Sequence, residues 1–128
     1  MELSPRDKKL LFGGRCWIFT IFPKRKALKK INELIAEADQ LLGTYPAVNY
    51  NNFGVMIDAR PIEAALLGWN VKVVKFFAEI FKDQLSDVQA RYIHIVGNNP
   101  YGDYLTLRDT LDKKRAYLIE FQQMLTAL

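Results

Sequence analysis

Residues 92–100 read Tyr92-Ile93-His94-Ile95-Val96-Gly97-Asn98-Asn99-Pro100, an apolar, β-branched run that stops at a Gly-Asn-Asn-Pro breaker. Two earlier runs have the same form. Cys16 to Phe22 holds Trp17, Ile18, Phe19, Thr20 and Ile21 and stops at Pro23, while Phe53 to Ile57 holds Val55 and stops at Asp58 with Pro61. Each run is short, bounded by breakers and followed by helical periodicity, which predicts strands buried on both faces that hand over to helices. The expected fold class is α/β, with a mixed, mostly parallel sheet of four to five strands flanked by helices.

Between these runs lie the helices. Ser4-Pro5 is a cap followed by proline, so a short helix or extended arm leads into the turn at Gly13-Gly14. Ala27, Leu28, Ile31, Leu34, Ile35, Ala38, Leu41 and Leu42 recur at helical spacing, and Gly43 supplies a stop. The polar stretch Thr44 to Asn52 reads as a loop. A helix starts near Pro61, and a longer one runs from about Asn70 to Leu85, with Gly68 as the break between them. Its stripe of Val73, Val74, Phe77, Ile80 and Phe81 is widened by Val71 and Phe76, which predicts deep burial or a flank facing a cavity. Tyr104, Leu107 and Leu111 continue a helical pattern. Ala116 to Phe121 fits either a strand or a helix by periodicity.

With 128 residues, half of them hydrophobic, the chain is long enough to form one domain, residues 1–128, with its own core. Its single cysteine, Cys16, excludes an internal disulfide and reads as a small buried hydrophobe suited to a reducing compartment. No apolar run approaches the length of a membrane span and no leader pattern opens the sequence, so the expected location is cytoplasmic. The net charge of +4 is unevenly placed: residues 1–30 hold nine basic and two acidic side chains. Such a local positive field suits phosphates, lipid headgroups or an acidic protein surface, and it also serves solubility.

Groups for catalysis are scarce. His94, the one histidine, lies inside an apolar run with no Cys or carboxylate pattern beside it and reads as structural. One His, one Cys and scattered carboxylates do not make a metal site. Gly13-Gly14-Arg15 precedes a run instead of following it, so it is no dinucleotide fingerprint, and no phosphate-loop lysine motif occurs. Covered strands and the absence of a base-reading cluster count against nucleic acid as a ligand. The chain therefore reads as non-enzymatic, with no cofactor.

In order, Lys9-Leu10-Leu11-Phe12-Gly13-Gly14-Arg15 before the first run, Ile57-Asp58-Ala59-Arg60, Trp69-Asn70-Val71, Ile93 to Pro100 and Leu111-Asp112-Lys113-Lys114 ahead of Tyr117 to Phe121 resemble the lipid-binding CRAL-TRIO domain. The likeness is to its compact, divergent versions in Rho-family exchange factors and spectrin-repeat proteins. Ser86-Asp87-Val88 departs from it by lacking the proline usual before the third strand. The resemblance implies that Ala116 to Phe121 is a last strand and that the domain binds a lipid or phosphoinositide.

On that reading acyl chains lie against Phe76, Phe77, Ile80, Phe81, Tyr101 and Tyr104, while Lys24, Arg25, Lys26, Lys29 and Lys30 hold an anionic headgroup or a phospholipid membrane surface. Ordinary core packing is the competing role for the aromatics. The rival function is a protein-interaction module that docks a small GTPase, a regulatory partner or a second copy as a homodimer. A STAS-like regulatory domain, which also mixes strands with helices, ranks third.

Overall fold

A computed structural model describes residues 1–12, 21–47 and 57–128. Among them every regular element is a helix: α1 (Pro5–Phe12), α2 (Ile21–Thr44), α3 (Arg60–Ile80), α4 (Asp87–Ile93) and α5 (Asp103–Ala127). The expected α/β sheet is thereby corrected to a helical bundle. The first two expected strands fall largely outside the described residues, apart from Ile21 and Phe22, which open α2, and Ile57, which is in neither helix nor strand.

The third expected strand is the end of α4 and the turn after it. Ser86-Asp87-Val88-Gln89 is a capping-box sequence, and the Ser86 hydroxyl accepts the Gln89 backbone N–H at 2.9 Å, which starts a helix just upstream of the apolar run. Tyr92 is then buried while Ile93 and Val96 are exposed, so the run is not covered on two faces. The expected last strand, Ala116 to Phe121, lies inside α5. Leu111, Lys114, Leu118, Phe121 and Leu125 are among its buried residues, and their spacing of three and four fixes the helical alternative. The CRAL-TRIO-like and STAS-like sheets go with these corrections.

Other expectations fare better. Ser4 caps α1, its Oγ accepting the Asp7 N–H at 3.1 Å, and the stripe from Ala27 to Leu42 is α2, which ends one residue past Gly43. Pro61 stands in the first turn of α3, where its missing N–H is harmless. Gly68 does not break that helix, because the apolar stripe on both sides of it stays in contact with the core. α3 ends in a left-handed turn: Lys82 and Asp83 have φ of 55° and 60°, and the Asp83 N–H reaches back to the Ala78 carbonyl at 2.7 Å.

Cross-helix pairs give the arrangement. Lys30 meets Glu79 and Lys72 meets Glu37, so α2 and α3 are antiparallel. Arg115 pairs with Asp39 and Gln122 with Asn32, so α2 and α5 are antiparallel as well. α3 and α5 therefore run parallel. Their aromatic seam joins Phe76 and Phe77 to Phe121, with ring centroids 6.4 and 5.4 Å apart. α4 lies over that seam, with Tyr92 packed on Trp69, Phe77 and Tyr117. The indole N–H of Trp69 donates to the Leu34 carbonyl at 2.9 Å and ties α3 to α2.

Candidate functional site

The residues expected to hold acyl chains divide between the core and a distant surface. Phe76, Phe77 and Phe81 are fully buried among one another and Phe121, and Ile80 is half-buried against the same cluster. They fill the interior at the C-terminal end of α3. Tyr101 and Tyr104 are at the other end of the bundle, beside Asp58, Arg60 and Glu63 in an open depression of about 490 Å³. There the Tyr104 hydroxyl donates to the Pro46 carbonyl at 2.9 Å, while Tyr101 is largely exposed. A bidentate contact from Arg60 holds the Asp58 carboxyl below the usual carboxylate range. The structure does not bring the six residues together.

The five expected headgroup residues share the first turns of α2 but have different work. Lys24 Nζ donates to the carbonyls of Thr126 and Leu128 at 3.2 and 2.9 Å, closing the C-terminus of α5 as a cation should. Lys30 pairs with Glu79 at 3.0 Å. Arg25, Lys26 and Lys29 are exposed.

Around Glu79 a cluster forms that sequence reasoning missed. The Lys30 hydrogen bond holds the Glu79 carboxyl below its usual range, and the charges of Lys75 and Lys26 push it the same way. Lys30 with Glu79 and Lys72 with Glu37 are ion pairs across the two helices, and Lys26, Lys29 and Lys75 are exposed outside them, which leaves the rim positive. A shallow groove of about 310 Å³ between α2 and α3, lined by Lys30, Glu33, Leu34, Glu37, Lys72 and Lys75, continues from it.

Next to this rim is the second missed feature. Opposite its buried face, α3 carries Ala64, Leu67 and Val71, of which Leu67 is 65% exposed and Val71 62% exposed, with Lys75 one turn further along. At 100° per residue these positions fall on one outward stripe, so α3 is apolar on two sides. Val71 was legible in the sequence as surplus to one buried face. What the sequence withheld was that the surplus faces outward.

Comparison with protein-family models, with curated proteins and with solved structures finds no match. The surface has to be read from its own chemistry.

One interior group is chemically unusual. Lys114 is 5% exposed, and its Nζ donates to Asn70 Oδ1 at 3.1 Å while lying 4.6 Å from the centroid of the Tyr92 ring. The Tyr92 hydroxyl donates to the same Asn70 oxygen. None of the ion pairs among the described residues reaches Lys114, and burial pulls its pKa below that of an ordinary lysine. This triad joins α3, α4 and α5 and orients their contact; it does not line the exposed stripe. His94, expected inside a strand, is exposed at the C-terminal end of α4.

Proposed function

We propose that this chain is a non-enzymatic protein-interaction module whose docking surface is the outer face of α3 together with the lysine rim of α2. The carrying observation is the exposure of Leu67 and Val71, one helical turn apart, on a helix whose opposite face already supplies the core. An exposed apolar stripe edged by charge is the signature of a surface that meets a partner. Isolated apolar residues would need no such explanation.

A second reading, attachment to an anionic phospholipid surface, is favoured by the exposed Arg25, Lys26 and Lys29. It receives less support from α3. Burying the exposed parts of Leu67 and Val71 yields about 3 kcal/mol, which is short of stable anchoring. No helix among the described residues is long and apolar enough to cross a membrane.

The test is capture of partners by the tagged chain and by its Leu67→Glu/Val71→Glu variant, with circular dichroism and a melting curve to confirm that both are folded. A polypeptide held by the parent chain and released by the variant supports the module. Identical capture by both, together with flotation on phosphatidylserine vesicles that follows Lys26 and Lys29, would favour the membrane reading.

A further inference from the structure

We infer that the occupant of the α3 face is an acidic amphipathic helix. The inference rests on the interaction reading above and specifies its partner. From Ala64 to Val71 the apolar stripe runs for about 10 Å, or two helical turns, before Lys75 takes the next place on the same face. Its large side chains, Leu67 and Val71, are spaced i, i+4, the interval at which another helix inserts its own ridge. Gly68 sits at the margin of the stripe with nothing within 4 Å of where a Cβ would be, so a partner backbone can come close there. No sheet edge exists among the described residues to receive an extended segment.

Charge selects the sign of the partner. Lys75 follows Val71 by one turn; Lys30 is taken up by Glu79 and Lys72 by Glu37, while Lys26, Lys29 and Lys75 are exposed outside those pairs, against the one further carboxylate of the groove, Glu33. An acidic segment lying along the stripe meets this excess of ammonium groups, whereas a basic one is repelled. A second copy is a poorer occupant, since it brings the same lysines to the same rim.

The experiment measures fluorescence anisotropy of two labelled helical peptides of four turns, each with a leucine stripe, one flanked by glutamates and the other by lysines. Neutral and phosphatidylserine vesicles and sedimentation of the chain alone run beside them. The glutamate peptide is expected to bind at least about tenfold more tightly than the lysine peptide. Leu67→Glu is expected to weaken it about tenfold or more. Lys75→Glu, on an exposed side chain that leaves the core intact, is expected to narrow the preference between the peptides and flatten the salt dependence. Equal binding of both peptides, lost together in Leu67→Glu, overturns the acidic assignment and leaves the interaction reading standing. Dimerisation that depends on Leu67 also overturns the assignment in favour of a second copy. No binding of the glutamate peptide up to millimolar concentration, with vesicle binding instead, overturns both.

Discussion

Asp7 Oδ2 accepts the backbone N–H of Val88 at 2.9 Å, and its Oδ1 accepts that of Asp87 at the same distance, so a carboxylate on α1 caps the start of α4. Asp7 is fully buried there. Together with the Ser86 hydroxyl on Gln89, this satisfies three of the N–H groups that a helix leaves open at its beginning. Asp7→Ala is expected to destabilise the chain by about 1–3 kcal/mol, because buried donors lose a charged acceptor. Urea unfolding measures the loss, and hydrogen exchange should place it at α4. Asp7→Asn, which keeps one carbonyl oxygen, should lose less.

Gly97 fixes the strap between α4 and α5. Its N–H donates to Thr110 Oγ1 at 2.7 Å, and the next N–H, from Asn98, reaches Asp109 Oδ2 at 2.9 Å. A Cβ on residue 97 would collide with the Thr106 carbonyl oxygen and lie 2.6 Å from the Thr110 backbone nitrogen. These are helix backbone atoms and cannot swing aside. Gly97→Ala is therefore expected to cost about 1–3 kcal/mol, read as a lower urea midpoint with an unchanged slope.

The left-handed turn after α3 offers the opposite change. Lys82 at φ 55° holds a conformation that a Cβ disfavours. Lys82 is exposed, so nothing is lost from the core by replacing it. Lys82→Gly is expected to raise stability by up to about 1 kcal/mol, visible as a higher melting temperature.

Alkaline pH should act in two opposing directions. Burial pushes the Tyr117 phenol up to about 12 and raises Tyr92 further. Below the ordinary phenol value of 10.0 both folded and unfolded chains keep these protons, so stability is flat. Above it the unfolded chain releases them first, and stability falls. Lys114 behaves oppositely: burial lowers its pKa, so in the interval below 10.5 the folded chain releases its proton first and stability rises with pH. The melting temperature is expected to pass through a maximum near pH 10. Lys114→Met should remove the rising limb, and Tyr117→Phe should soften the fall.

The body of α2 and the starts of α1 and α3 are legible because their signals are local, although Ser4-Pro5 fits an arm as well as a helix and Gly68 reads as a break where α3 is continuous. Ser4-Pro5, the long stripe from Ala27 to Leu42 and Pro61 each report a short-range backbone preference. The third strand was misread because Tyr92, Ile93, Ile95 and Val96 look alike in a sequence, whereas burial separates Tyr92 from the exposed Ile93 and Val96. The capping box at Ser86 to Gln89 is the local signal that points to a helix instead. Ala116 to Phe121 fits strand and helix alike by its own periodicity and reads as a strand only through the family resemblance, whereas a window from Leu111 to Leu125 gives helical spacing. At the surface, Val71 was visible as an excess, but the lysine rim joins Lys26 and Lys30 to Lys75 across two helices. Contacts of that range leave no spacing to read.

The parallel course of α3 and α5 also restricts how this chain can change length. Parallel neighbours oblige the polypeptide to travel back along the bundle, roughly 30 Å for a helix the size of α3, before α5 can begin. Residues 81–102 make that return, and α4 occupies its middle. Deleting enough of this crossover to leave a hairpin would turn α5 end for end, separating Lys114 from Asn70 and Phe121 from Phe76 at once. Connector length here sets which way the final helix points.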